Sequence, residues 1–210
     1  MKDFGKKHAV QILGLILTGF MLLTILVLFF PNSWLDSEFS EEIQEHHNNA
    51  IDFLMKGISW FGQMWVSISL VSISSILFLL SRKKKEAIFC MATLLIGLIT
   101  YLIKIAINRP RPGADMVRVI VDVQHQSFPS GHVSFYIVFF GFIAFLLYHD
   151  QLLDKPLRYI VISSCIFLIL TIPISRIYLG AHWFTDVFGG FLLGSVYLGL
   201  LLTFFLKDRN

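Results

Sequence analysis

Six apolar runs separated by short polar stretches set the pattern of this chain. They cover about residues 9–30, 58–80, 87–107, 133–148, 159–174 and 183–206. A helix needs about 20 mainly apolar residues to cross the hydrocarbon core of a bilayer. Backbone polar groups inside lipid must be satisfied internally, which selects helices for such runs. The pattern therefore predicts an all-α fold: a six-transmembrane helical bundle, in one domain covering residues 1–210. The fourth and fifth runs are short, so their ends are the least defined. Between the first two runs, Leu35, Phe39 and Ile43 recur every four residues, and Ile51, Leu54 and Met55 continue the apolar character. Glu41, Glu42, Glu45, His46 and His47 supply a polar side. This segment, residues 31–56, predicts a short amphipathic interfacial helix after the first span. Trp34, Trp60, Trp65 and Trp183 fall near span boundaries, where indole rings anchor at the interface.

Composition agrees. Of the 210 residues, 56% are hydrophobic and 15% charged, with a mean hydropathy of +0.73. Soluble domains carry about 25% charged residues. A net charge of +3 is too small to imply a nucleic-acid partner. Its distribution is more informative. Taking the runs as spans, eleven Lys and Arg fall on one side: Lys2, Lys6, Lys7, Arg82, Lys83, Lys84, Lys85, Lys155, Arg158, Lys207 and Arg209. Six fall on the other: Lys56, Lys104, Arg109, Arg111, Arg118 and Arg176. The positive-inside rule then puts both termini in the cytoplasm and the loops after spans one, three and five outside. The first run is too long for a signal-peptide core and no small-residue cleavage site follows it, so no cleaved leader is expected. Cys90 and Cys165 lie inside apolar runs and read as small hydrophobes.

Against this background the polar exceptions stand out. Residues 175–186 read Ser-Arg-Ile-Tyr-Leu-Gly-Ala-His-Trp-Phe-Thr-Asp, between the last two apolar runs. A charge at the bilayer centre costs about 2.5–3.5 kcal/mol on insertion scales, so charges at a boundary need partners, water or a task. His182 and Asp186 are four apart, one turn on a helix. A carboxylate so placed can hold one imidazole nitrogen and leave the other lone pair outward. Gly180 allows a bend that brings Arg176 to an anion beside His182. In the loop 108–130, Pro110 and Pro112 end the third span, Asn108 suits its C-cap, and Lys104 and Arg111 fall on about the same side. Ser130 is a suitable N-cap for the fourth span, followed by Gly131 and His132. Free amides at such a terminus bind phosphate. Cations, oriented donors and two imidazoles suit phosphoryl transfer: one imidazole attacks phosphorus and the other protonates the leaving oxygen. The histidine spacing is not a zinc motif and no carboxylate cluster invites Mg²⁺ or Ca²⁺, so no cofactor or metal is expected. Arg109, Arg118, Asp122 and His125 have no assigned chemistry and read as structural, headgroup or solvated loop residues. His46 and His47 read as a solvated face, and His8 and His149 as bland residues near the cytoplasmic side.

Lys104-x6-Arg111-Pro112, Pro129-Ser130-Gly131-His132 and Ser175-Arg176-x5-His182-x3-Asp186 together resemble the three-part signature of the type 2 phosphatidic acid phosphatase (PAP2) superfamily. The motifs occupy residues 104–112, 129–132 and 175–186 and occur in the family's order. The resemblance implies that His182 forms a phosphohistidine, Asp186 is its partner and His132 is the general acid. It implies that Lys104, Arg111, Ser130, Gly131 and Arg176 cradle the phosphate. It also implies a lipid phosphate substrate entering from the membrane: phosphatidylglycerophosphate, phosphatidic acid or undecaprenyl pyrophosphate. A non-catalytic lipid-binding relative would be expected to lose the histidines or the aspartate. A lipid transporter would be expected to carry paired broken spans or mid-membrane charge. A vanadate-holding peroxidase would be expected to carry larger soluble domains.

Overall fold

The computed structural model describes residues 2–31, 33–121, 123–150 and 153–207, with side chains described from residue 8 onward and that of Asp150 excepted. Asp122, Arg209 and the side chains of Lys2, Lys6 and Lys7 lie outside the described residues. Among the described residues the chain forms nine helices and no strand: α1 (Lys2–Phe29), α2 (Trp34–Gln44), α3 (Asn49–Trp60), α4 (Met64–Leu80), α5 (Lys84–Ala92), α6 (Leu95–Ile107), α7 (Gly131–Asp150), α8 (Lys155–Tyr178) and α9 (Phe184–Lys207). Five stretches are long and apolar enough to cross a membrane, and the bent pair α3–α4 makes a sixth. Helices α5 and α6 form one of the five, running through Thr93 and Leu94. The two short runs of the sequence become full helices. Run four extends to Gly131 and run five to Tyr178, which carries Ser175 and Arg176 into the last turn of α8.

The second span differs from a straight helix starting near residue 58. It is broken at residues 61–63 with a bend of 51°. The amphipathic segment before it is two helices, α2 and α3, with Ser33 and Asn48 as their N-caps. Ser33 Oγ accepts from the Asp36 amide, and Asn48 Oδ1 accepts from the Ile51 amide. The face that α2 buries is also unexpected. Phe39 does stack on Phe184, with ring centroids 4.1 Å apart. The fully buried residues, however, are Asp36 and Ser40. Gln44, four further on, donates to the carbonyls of Arg118 and Tyr178, each at 2.9 Å. A polar row at i, i+4 and i+8 thus faces the protein.

The bundle is organised around α7, which packs on both α8 and α9. In its spanning window 61% of residues are buried, against 11% for α1, so α7 is the axis and α1 the lipid-facing rim. Helices α7 and α9 cross closely because both present small residues. An added Cβ on Gly190 would lie 2.6 Å from the Ser130 carbonyl oxygen, and one on Gly194 would lie 3.1 Å from Ser134 Cα. Ser134 Oγ donates to the Gly190 carbonyl at 3.0 Å. Small residues four apart on two facing helices permit such backbone approach in lipid. The approach sets the beginning of α7 beside the beginning of α9, where the Ser130 amide donates to the Asp186 carbonyl at 2.9 Å. Gly190→Ala is therefore expected to separate the two helices and lower stability by about 1–3 kcal/mol, the usual cost of overpacking. Thermal unfolding in detergent measures this, and an unchanged Tm would contradict the close crossing.

Candidate active site at the convergent helix ends

The end of α6, the beginning of α7, the end of α8 and the beginning of α9 meet at one end of the bundle, roofed by the loop 108–130 and by α2. Asn108 stops α6, as its sequence position suggests: it is left-handed, with φ of 50°, and its amide returns to the Lys104 carbonyl at 2.9 Å. Gly180, also left-handed with φ of 67°, turns the chain from α8 toward α9. A Cβ there would strike the Arg118 carbonyl oxygen at 2.4 Å, so only glycine lets the loop 118–121 lie on this turn.

His182 sits two residues before α9 and not on the helix, yet the pairing with Asp186 survives. Asp186 lies in the first turn, and its Oδ2 accepts from the Trp183 amide at 2.8 Å, reaching back over the helix start. The same oxygen accepts from Ser127 Oγ and stands 3.5 Å from His182 Nδ1. At that length Nδ1 has no well-formed hydrogen bond, and it is buried. On the other side of the ring, Arg111 Nη1 is 3.2 Å from His182 Nε2. A guanidinium can only donate. Nε2 therefore accepts, and a neutral ring keeps its proton on Nδ1, facing Asp186. Burial first, and then the nearby charges of Arg111, Lys104 and Arg176, hold the His182 ring well below the ordinary histidine range.

The signature cations surround this histidine. Arg111 also donates to the carbonyls of Ala181, His125 and Gln126. Lys104 Nζ donates to the carbonyls of Gln126 and Ser127 at 2.7 and 2.8 Å. Arg176 is buried, and its Nη1 donates to Ser59 Oγ, while its Nε and Nη2 have no hydrogen-bond partner. Ser130 stands at the N-cap position of α7, but its buried hydroxyl caps nothing and is equally unpartnered. His132, in the first turn of α7, lies within electrostatic reach of Arg176, His182, Arg111 and Lys104. Its ring lies against Gly62 in the break between α3 and α4, where a Cβ would come within 2.3 Å. His132 and Arg176 line a cavity of about 590 Å³ together with Lys56, Ser59, Trp60 and Gln63. The signature residues Lys104, Arg111, Ser130, Gly131, His132, Arg176, His182 and Asp186 are thus drawn to one end of the bundle.

Several participants leave little trace in the sequence. Arg109, to which the sequence assigns no chemistry, is buried at the centre of the site. Its Nη1 donates to Asp186 Oδ1 at 2.6 Å and to Thr185 Oγ1 at 2.7 Å, and its Nη2 donates to Asp36 Oδ2 at 2.7 Å. Asp36 and Ser127 join it from α2 and the loop. Ser59 and Gly62 join from the broken span. The one sequence clue to Asp36 is an acid three residues after an N-cap serine, in the first turn of α2. Trp183, expected at the interface, is 1% exposed and belongs to the core, whereas Trp34, Trp60 and Trp65 are exposed. Arg118 forms a two-pronged ion pair with Asp52 at 3.0 and 2.6 Å, which ties the loop to α3. His125 is exposed and offers only its backbone carbonyl to Arg111, and His46 and His47 are exposed as well.

Comparison with known proteins bears on the family and the fold. The chain is 38% identical over 111 residues to phosphatidylglycerophosphatase B of Bacillus subtilis (strain 168), a match covering 52% of this chain and 50% of that protein. The chain thus matches about half the length of that curated relative. Its fold superposes on the crystal structure of a transmembrane PAP2-type phosphatidylglycerolphosphate phosphatase from Bacillus subtilis. The TM-score is 0.80 at 25% identity, covering 93% of this chain and 96% of the other. It also resembles the fold of Aquifex aeolicus LpxE, with a TM-score of 0.64 at 24% identity, covering 82% and 97% of the two chains. The sequence model of the PAP2 superfamily matches residues 85–210, well over half the chain and all three signature segments, and the chain belongs to that superfamily.

Proposed function

We propose that this protein is a membrane lipid phosphatase that cleaves a lipid phosphomonoester or pyrophosphate through a phosphohistidine at His182. The observation that carries this reading is the set of orphaned donors. Arg176 Nε and Nη2 are buried without partners in a residue that lines a cavity with His132, and Ser130 Oγ, two residues before that histidine, is buried and unpartnered as well. Leaving such a group unmade costs about 1–3 kcal/mol, more for a charged one. A phosphate dianion satisfies all of them at once. Lys104, Arg111 and Arg176 then balance its charge, and the Gly131 and His132 amides at the start of α7 add the favourable end of a helix dipole.

His182 Nε2 attacks phosphorus in line, forming the N–P bond as the bond from phosphorus to the lipid-side oxygen breaks. His132 gives its proton to that oxygen. Asp186, which the Nδ1 proton faces, balances the charge that builds on the ring. Water then attacks phosphorus, His132 takes its proton, the N–P bond breaks and inorganic phosphate leaves. All the groups required come from the chain, so the reaction is expected to proceed without a metal. The Bacillus relative is named for phosphatidylglycerophosphate, which makes that lipid the first to test, with phosphatidic acid and undecaprenyl pyrophosphate beside it. Substrate enters from the bilayer, and the cavity lined by Trp60 and Met64 of the bent span and by Arg176 of α8 suits that route. The lysine and arginine distribution supports a multi-pass protein of the cell membrane with both termini cytoplasmic and this site on the outer face.

Purified protein in EDTA is expected to release phosphate from at least one of these lipids, with activity lost in His182→Ala. No release from any of them, or full activity in the variant, rejects the reading. The pH dependence follows from the charge around the nucleophile. A ring whose charged form is disfavoured stays neutral, and so nucleophilic, below the ordinary histidine value of about 6.5. Competence is lost only as the pH falls through the depressed value. After correction for the substrate's own second ionisation, the acid limb of kcat/KM is expected below a pH of about 6.5. A limb at or above that value contradicts the assignment of His182 as a buried neutral base. Arg176→Lys is expected to raise KM, because an ammonium cannot reproduce a planar fork; an unchanged KM removes Arg176 from the cradle.

A further inference from the structure

We propose that Asp36 and Arg109 are positioning residues for the transfer step: Asp36 holds the Arg109 guanidinium so that it fixes one carboxylate oxygen of Asp186 and leaves the other to His182. Asp36 lies on α2, outside residues 85–210, and Arg109 is not one of the signature positions. The proposal rests on the phosphohistidine reading above.

The geometry divides Asp186 cleanly. Oδ1 accepts from Arg109, while Oδ2 accepts from Ser127 and the Trp183 amide and faces His182 Nδ1. Arg109 is itself held from four sides. The Pro31 carbonyl accepts from its Nε and Nη2 at 3.0 and 2.7 Å, and Asp36 and Thr185 take the remainder. Asp36 is fixed in turn: the Thr185 amide and hydroxyl each donate to its Oδ1 at 2.9 Å, and Ser33 Oγ donates to Oδ2 at 2.7 Å. All three charged side chains are no more than 1% exposed, so water does not screen them.

Two carboxylates share one guanidinium, which leaves this group with a net negative charge behind His182. Arg111 from the loop stands at the opposite ring nitrogen, and Lys104 from α6, Arg176 from α8 and His132 from α7 lie within electrostatic reach of the ring. The ring must become cationic as it forms its bond to phosphorus. The residual charge on Asp186 is what stabilises that cation against three others. Without the Asp36 charge, Arg109 acts on Asp186 alone, and the oxygen facing His182 is less negative. The phosphate cradle contains neither residue. The loss therefore falls on the transfer step and not on substrate binding.

The test uses the full-length protein in lipid–detergent micelles with the substrate found above. Asp36→Asn keeps the shape and removes the charge. Its kcat is expected to fall about ten- to hundred-fold, the range seen when a group that orients a functional side chain is lost. KM and the inhibition constant of inorganic phosphate should hold, and the acid limb of kcat/KM should move to lower pH. Thr185→Val, which removes the hydroxyl shared by Arg109 and Asp36, should lower kcat with KM held, and it decides the matter if Asp36→Asn does not fold. Wild-type kcat in a folded variant overturns the proposal. So does a parallel loss of phosphate affinity, which marks a general collapse of the site. Absence of any activity in the wild type would sink the phosphohistidine reading instead, before any variant is compared.

Discussion

A single guanidinium, that of Arg109, bridges two buried carboxylates from opposite ends of the sequence, and the geometry of the site depends on it. Asp36 comes from the helix after the first span and Asp186 from the start of the last. The ion pairs are 2.7 and 2.6 Å long and almost fully buried. Buried pairs are not automatically stabilising, because desolvation offsets much of the attraction. Removing one partner is another matter and costs about 3–5 kcal/mol, since a bare charge remains. The network therefore acts less as a source of stability than as a constraint. Only one arrangement of α2, the loop 108–130 and α9 satisfies all three charges. That arrangement points Asp186 at His182.

Around this constraint the cations divide into two kinds. Arg109 is matched by carboxylates. Lys104, Arg111 and Arg176 form no ion pair with a carboxylate among the described residues; they donate to carbonyls, to a serine and to His182. Cations held by neutral acceptors keep most of their field. In a site walled by apolar helices that field is strong. It disfavours a charged His182 and favours an incoming dianion, so the same electrostatics prepare the nucleophile and attract the substrate. The scaffold makes this possible. The close α7–α9 crossing at Gly190 and Gly194 aligns the two helix starts, and the bend at residues 61–63 carries Ser59 to Arg176 and Gly62 to the His132 ring.

How much of this can be seen in the sequence depends on what kind of signal each residue leaves. The spans are legible because an apolar run of bilayer length would be hard to keep in water. The signature residues are legible because charge beside such runs is costly and rare. Asp36 is hidden because helix periodicity is judged by apolar residues: Leu35, Phe39 and Ile43 mark an interfacial face, and nothing in that pattern tells that α2 turns Asp36 and Ser40 into the protein. A helix roofing a polar site reverses the usual pattern. Trp183 misleads for a related reason, since a boundary tryptophan reads as an interface anchor unless the helices around it are known to close over it. The break at residues 61–63 leaves only Gly62 as its mark, and one glycine in an apolar run carries little information. The pairing of Asp186 illustrates the limit most directly: helical spacing reveals His182, but no spacing rule connects residue 186 to residue 109.

Arg109 and Arg111 show how two like residues so close in sequence acquire opposite roles. Each is followed by proline, and the residue before a proline is driven from the helical region toward extended or polyproline conformations. In a polyproline helix, with three residues per turn, side chains two apart diverge by about 120°. The short Arg-Pro-Arg-Pro segment can therefore send one guanidinium inward to Asp36 and Asp186 and the other along the edge to His182 and the carbonyls of residues 125, 126 and 181. Between them the two arginines grip the His182–Asp186 pair from both sides. A helix continued to residue 113 would commit the Arg109 carbonyl to its own ladder. The Ser127 amide instead takes the Arg109 carbonyl at 2.8 Å, closing the loop so that its serine reaches Asp186. The prolines thus do more than end a span: they turn its last residues into a two-sided clamp.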